Sequence, residues 1–162
     1  LALYSGIAGG GDVILIPEIP FDEEYVADYL VKRADTGKPY SIVVVAEGID
    51  FPKKKKKKSA GGYIAKRLQE LSDLSTRETI LGYIQRGGTP TARDRILATR
   101  LGAYAAHMVA KGRFGHMAAL QNGDMTAVPL AEVAGKLKLV PQDGPMIRKA
   151  RAIGTCFGDQ QR

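Results

Sequence analysis

An α/β fold with a mostly parallel sheet is predicted by three observations. Two short apolar runs, Val13-Ile14-Leu15-Ile16 and Ser41-Ile42-Val43-Val44-Val45-Ala46, carry no polar alternation, the pattern of strands buried on both faces. A segment of helical periodicity separates them, so strand, helix and strand form a βαβ unit whose crossover should be right-handed. With 44% apolar and 25% charged residues, the 162-residue chain can bury a core of about one domain.

Leu1 to Ala8 reads as a helix, with Leu1, Tyr4, Ser5 and Ala8 on one face, stopped by Gly9-Gly10-Gly11. Pro17 ends the first strand. Asp22 then offers a helix cap, Glu23 and Glu24 suit the positive end of the helix dipole, and Tyr25, Val26, Tyr29, Leu30 and Arg33 repeat at helical spacing up to Gly37. After the second strand, Ala60, Ile64, Leu68 and Leu71 mark a helix that fades at Ser72-Asp73, and Thr79 to Ile84 is expected as a third strand. From about Asp94 to Lys111 runs the strongest helix, with an apolar seam of Leu97, Leu101, Tyr104, Ala105 and Met108. Met117 to Leu120 reads as a short strand, and Pro129 to Leu139 and Pro145 to Ala152 carry weaker helical patterns.

The net charge of +7 suggests a polyanion partner, but the arithmetic weakens that reading. Six of the 24 basic residues are the single run Lys53 to Lys58, and the remaining 18 face 17 acidic ones. The run repels itself and is expected to form a solvated, mobile loop; no aromatic residues interleave it, so a nucleic-acid partner is not favoured. No apolar run approaches the roughly 18 residues of a spanning helix. The opening residues lack a signal-peptide layout, and the single Cys156 fits a reducing, cytoplasmic setting. His107 and His116 are isolated, so no metal cluster is expected.

In open α/β sheets, ligands sit beyond the carboxyl ends of the strands. Glu47-Gly48 follows one strand end, and Gln85-Arg86-Gly87-Gly88 follows the end expected at 84. Arg77, Glu78, Arg86, Arg93, Asp94 and Arg95 crowd the second stretch. A guanidinium offers a planar fork that matches phosphate oxygens two at a time, and a Gly-Gly pair lets backbone N–H groups approach an anion. The competing reading pairs these arginines with Glu78, Asp94 and Glu70 on a solvated surface; composition alone favours it slightly, and the Gly-Gly pair and the strand-end placement bring the two readings level.

The stretch Arg77-Glu78-Thr79-Ile80-Leu81-Gly82-Tyr83-Ile84-Gln85-Arg86-Gly87-Gly88-Thr89-Pro90, continuing to Asp94-Arg95-Ile96-Leu97-Ala98, closely resembles the signature of the 6-phosphofructokinase family. Leu1-Ala2-Leu3 with Gly6-Ile7-Ala8-Gly9-Gly10 and Leu15-Ile16-Pro17-Glu18 resembles the segment after that family's sugar-binding Met-Gly-Arg region. Val43-Val44-Val45-Ala46-Glu47-Gly48 is similar to a family strand with its acidic turn, and Ala150-Arg151-Ala152-Ile153-Gly154 with Phe157-Gly158-Asp159 to the C-terminal end. The resemblance implies part of a three-layer, Rossmann-like phosphofructokinase fold.

It also implies site roles. Arg86 would grip the 6-phosphate of fructose 6-phosphate from its own subunit, and Arg77 would reach the phosphate of a neighbouring subunit, which implies a homo-oligomer. Glu47 would accept hydrogen bonds from sugar hydroxyls. Tyr83 stands where the family usually has histidine; its hydroxyl can donate to phosphate but carries no charge near neutral pH. Asp12 and Lys38 fall at places matching an effector site, with Thr36 where a second lysine is usual. The glycine-rich nucleotide loop and the aspartate-bearing catalytic loop of the family are not in this chain, so Mg2+ and ATP (or pyrophosphate) would be bound mainly by an N-terminal half.

On this reading residues 1–88 form the fructose-6-phosphate-binding domain, 89–128 a helix and strand that pack on the nucleotide domain, and 129–162 C-terminal helices. The chain would be the C-terminal half of a 6-phosphofructokinase, inactive alone. The alternative is a non-catalytic sugar-phosphate-binding or polyanion-binding module.

Overall fold

The structure, a computed structural model, describes residues 1–52 and 59–160, so the expectation for Lys53 to Lys58 lies outside the described residues. The elements are α1 (Ala2–Ala8), β1 (Val13–Leu15), α2 (Glu23–Asp35), β2 (Val43–Val45), α3 (Ala60–Ser72), a 3-10 turn (Gly82–Arg86), α4 (Ala92–Ala110), β3 (His116–Gln121), β4 (Asp124–Pro129), α5 (Leu130–Val133) and α6 (Pro145–Ala152). They divide into two compact units, Leu1–Ile80 with Leu139–Arg162, and Leu81–Lys138.

The first unit is built on β1 and β2, which pair in parallel with Val13 opposite Val43, Ile14 opposite Val44 and Leu15 opposite Val45. A single parallel bridge joins Val13 to Cys156 on the other side of β1. Because side chains alternate across a strand, this thin sheet feeds two cores. Val13 and Leu15 pack with Val26, Leu30, Tyr63, Ile64 and Leu68 of α2 and α3. Ile14 and Ile16 pack instead with Leu3 of α1, with Ile147 and Ala150 of α6, and with Phe157. Helices on both sheet faces give the expected three layers, and they explain why β1 is apolar at every position: all three residues are buried.

Local chemistry sets the helix ends. Asp22 caps α2 as its sequence predicts, its side chain accepting from the N–H groups of Glu24 at 2.9 Å and Tyr25 at 3.3 Å. Arg67 on α3 binds Glu23 at 2.7 Å and Glu70 at 2.8 Å, tying the first turn of α2 to α3. At the C-terminus, Arg151 donates two hydrogen bonds to Asp159, at 2.9 and 2.6 Å, while its guanidinium lies 4.9 Å from the centre of the Phe157 ring. That fork holds the final segment against the sheet.

The second unit differs from the expected pattern in three ways. Thr79 to Ile84 is not a strand: Gly82 has φ +39°, and residues 82–86 form a 3-10 turn closed by the Ile84 N–H donating to the Leu81 carbonyl at 2.9 Å. A left-handed glycine cannot continue an extended run, and the β-branched residues before it find no strand partner among the described residues. The strand expected at 117–120 is one arm of an antiparallel hairpin, with β4 as its unpredicted partner. Asn122 and Gly123, at φ +52° and +93°, form the two-residue turn whose twist matches a hairpin. Finally, the helix expected over 129–139 shrinks to α5, since Pro129 belongs to β4 and Gly135 at φ +73° interrupts the chain.

Helix α4 begins two residues earlier than expected, at a capping box in which the Asp94 carboxylate accepts from the N–H of Thr91 at 2.8 Å. The helix lies against the hairpin. Met108 of its seam is buried and Leu97, Leu101 and Tyr104 are half-buried, whereas Ile96, Val109 and Phe114 beyond the helix are exposed.

Candidate functional site

Parallel pairing places the carboxyl ends of β1 and β2 on one edge of the sheet, and each strand feeds directly into a turn there. Beyond β1 come Ile16, Pro17 and Glu18; beyond β2 come Ala46, Glu47 and Gly48. The Ala46 N–H still donates to the Leu15 carbonyl at 2.9 Å, which extends the ladder to the residue before Glu47. The Ile49 N–H then donates to the Ala46 carbonyl at 3.4 Å, and Ile49 is buried, so Glu47 and Gly48 form an exposed corner anchored on both sides. The Glu47 carboxylate is thereby presented to solvent at the position where an α/β sheet binds ligands.

Arg77 lies after α3 and lines a cavity of about 460 Å³ with Lys38, Tyr40, Ser41, Val43 and Val45. The residue is exposed and makes no ion pair among the described residues. Its neighbours are tied down. The Thr76 hydroxyl donates to the Ala65 carbonyl at 3.0 Å and lies 3.1 Å from Gln69 Oε1, and the Glu78 carboxylate accepts the Ser59 hydroxyl.

Among the described residues, Arg77 makes no ion pair with Glu78, Asp94 or Glu70. Glu78 is engaged by Ser59, Asp94 by Thr91, and Glu70 by Arg67 and Lys66. Two of these partners leave a mark on acidity. The Thr91 hydroxyl and N–H hold the Asp94 carboxyl below its ordinary range, and hydrogen bonds from Arg67 and Lys66 do the same for Glu70.

Tyr83 and Arg86 belong to the second unit. Tyr83 projects from the 3-10 turn and is 87% exposed, and Ile84 beside it is also exposed. Arg86 closes that turn; its backbone is described and its side chain is not. Of the two effector candidates, Asp12 is committed inside the fold: one oxygen binds Arg33 Nη2 at 2.6 Å and the other accepts the Ile42 N–H at 2.8 Å, so it cross-braces β1, α2 and the start of β2. Lys38 is exposed on the cavity that Arg77 lines, where Asp12 takes no part. Among the described residues no group of three or more His, Cys, Asp or Glu side chains could hold a metal ion. No helix among them is long and apolar enough to cross a membrane.

A family model described as Phosphofructokinase matches residues 1–109, from α1 through the 3-10 turn to the last turn of α4. The chain belongs to the phosphofructokinase family. It is 52% identical over 158 residues to ATP-dependent 6-phosphofructokinase 3 of Bacteroides thetaiotaomicron, covering 98% of this chain and 46% of that protein. It is also 52% identical over 173 residues to the ATP-dependent 6-phosphofructokinase of Spirochaeta thermophila, with 98% and 47% covered. Among solved structures, Pichia pastoris phosphofructokinase in the T-state superposes with a TM-score of 0.55 at 30% identity, over 81% of this chain and 14% of that one. The pyrophosphate-dependent phosphofructokinase of Marinobacter aquaeolei superposes with a TM-score of 0.67 over 99% of this chain and 46% of its own; at 22% identity this likeness concerns the fold alone. The chain spans about half the length of the curated relatives it matches.

Sequence reading missed the Thr76 and Glu78 anchors. Ser59 ahead of an apolar helical repeat was the available signal: it is the N-cap of α3, its oxygen accepting the Gly62 N–H at 2.9 Å while its hydroxyl donates to Glu78.

Proposed function

We propose that this chain is the C-terminal, sugar-phosphate-binding half of a 6-phosphofructokinase that transfers a phosphoryl group from ATP to the 1-hydroxyl of fructose 6-phosphate. One observation carries the reading: the phosphofructokinase match runs unbroken through the segment that presents an exposed Arg77 with no ion pair among the described residues. Two relatives that are 52% identical over 98% of this chain are named ATP-dependent.

In this reading the chain binds and orients the acceptor. Arg77 and Arg86 grip the 6-phosphate, a dianion that suits two guanidinium forks, with Arg77 serving the site of a neighbouring subunit in a homo-oligomer. Glu47, at the β2 corner, accepts hydrogen bonds from sugar hydroxyls. Tyr83 donates its phenolic O–H to the phosphate without adding charge. Magnesium and the phosphoryl donor belong to the N-terminal half, where the metal would neutralise charge on the donor phosphates. That half also covers the exposed Ile96, Val109 and Phe114 of residues 89–128. With Asp12 engaged by Arg33, Lys38 is the side chain left to meet a phosphorylated effector.

The test is the full-length enzyme with Arg77→Ala. A lost charge-assisted hydrogen bond costs about 1.5–3 kcal/mol, so KM for fructose 6-phosphate should rise roughly 10- to 100-fold with KM for ATP unchanged. An unchanged KM for the sugar phosphate overturns the assignment.

A further inference from the structure

We propose that Glu78, docked on the first turn of α3, is a positioning residue that together with Thr76 fixes Arg77 for phosphate binding. The inference rests on the Arg77 role proposed above. Arg77 itself makes no ion pair among the described residues, yet the residues immediately before and after it are both fastened to the same helix. Thr76 is held at the middle of α3, through the Ala65 carbonyl and Gln69 Oε1. Glu78 is held at the start of α3, through the Ser59 hydroxyl.

The helix is shaped for this carboxylate. A Cβ placed on Gly61 would lie 3.2 Å from Glu78 Oε1, and one placed on Gly62 would lie 2.8 Å from Oε2 and 3.0 Å from the Ser59 oxygen. Two consecutive glycines in the first turn, where a side chain would ordinarily help the helix, leave room for the carboxylate to rest against the backbone. That end of the helix carries the unpaired N–H groups and the positive pole of the dipole, so the negative charge is favoured there.

The consequence is mechanical. With Thr76 and Glu78 pinned, the backbone of Arg77 has little freedom left, and its side chain enters the binding step with its origin already fixed. Releasing one pin restores the freedom of about one backbone residue, which must be lost again when phosphate binds. That corresponds to a roughly 5- to 30-fold weaker complex.

Two variants of the full-length enzyme test the proposal. Glu78→Ala removes the carboxylate. Gly62→Ala displaces it by occupying its place, and the better helix former offsets the lost charge–dipole contact, so its melting temperature should change little. In both, KM for fructose 6-phosphate should rise about 5- to 30-fold with kcat within twofold and KM for ATP unchanged. Glu78→Gln, which can still accept the Ser59 hydroxyl, should recover most of the affinity. If both alanine variants bind the sugar phosphate as wild type does while Arg77→Ala is impaired, the positioning role is overturned and the Arg77 role stands. If Arg77→Ala is itself unimpaired, both fall. Loss of kcat, both KM values and melting temperature together in Glu78→Ala, with Gly62→Ala normal, would make the contact structural only and overturn the proposal.

Discussion

Replacing Gly158 by alanine should damage the first unit more than any other single added methyl described above. Gly158 is buried at φ +78°, its carbonyl accepting the Asp22 N–H at 2.8 Å beside the α2 cap. An added Cβ would lie 2.6 Å from Phe21 Cβ, 2.9 Å from Val26 Cγ2 and 3.1 Å from Leu15 Cδ2. Phe21 Cβ is fixed to its own backbone and cannot swing aside, and Val26 and Leu15 sit in the core. The left-handed conformation costs an alanine about 1–2 kcal/mol. Forcing a methyl into a filled core adds about 1–3 kcal/mol. Gly10→Ala is the control, because Gly10 has φ +69° and no atom within 4 Å of an added Cβ, so only the backbone cost applies. Any entropic gain from stiffening the unfolded chain is common to both variants and cancels in the comparison. Urea unfolding followed by far-ultraviolet circular dichroism should place Gly158→Ala about 1–3 kcal/mol below Gly10→Ala. Equal stabilities would refute the packing argument, since the two glycines differ chiefly in what surrounds them.

Two further outcomes follow from ionisation. Because Thr91 holds the Asp94 carboxyl below its ordinary range, the α4 capping box stabilises the fold above the unfolded carboxylate pKa, and that contribution is lost as pH falls through the depressed folded value; the melting-temperature difference between wild type and Asp94→Asn should be present at neutral pH and close in acid, and a difference independent of pH would contradict it. Burial pushes the Cys156 thiol up, and the residue is the chain's one cysteine, so native protein should resist Ellman's reagent until it unfolds; immediate stoichiometric labelling of the folded chain would count against the buried bridge to Val13.

Much of the first unit was legible because its signals are local. An unbroken apolar run such as 13–16 has few stable placements other than between two helical layers, and Asp22 followed by Glu23 and Glu24 marks a helix start through hydrogen bonds three residues long. What failed depended on partners or on backbone sign. Thr79 to Ile84 has strand-like composition, but composition says nothing of the positive φ at Gly82 or of whether an edge is available to pair with. The hairpin carried its own signal in Asn122-Gly123, which the weakly alternating residues 124–129 obscured. At the site, the arginines and Glu47 stood out through charge and placement. The docking of Glu78 on Ser59 did not, because it joins residues 19 apart that meet only once α3 has formed.

The first unit is interrupted in sequence: residues 81–138 are spelled out between its two parts. Its outermost sheet bridge, at Cys156, and the core residues Ile147 and Phe157 all come from the last stretch. During synthesis, β1 and β2 therefore emerge long before the residues that seal one of their faces. For that interval Ile14 and Ile16 lack the cover of Ile147, Ala150 and Phe157, and a ribosome that stalled within α4 would leave a half-clad sheet for chaperones to guard.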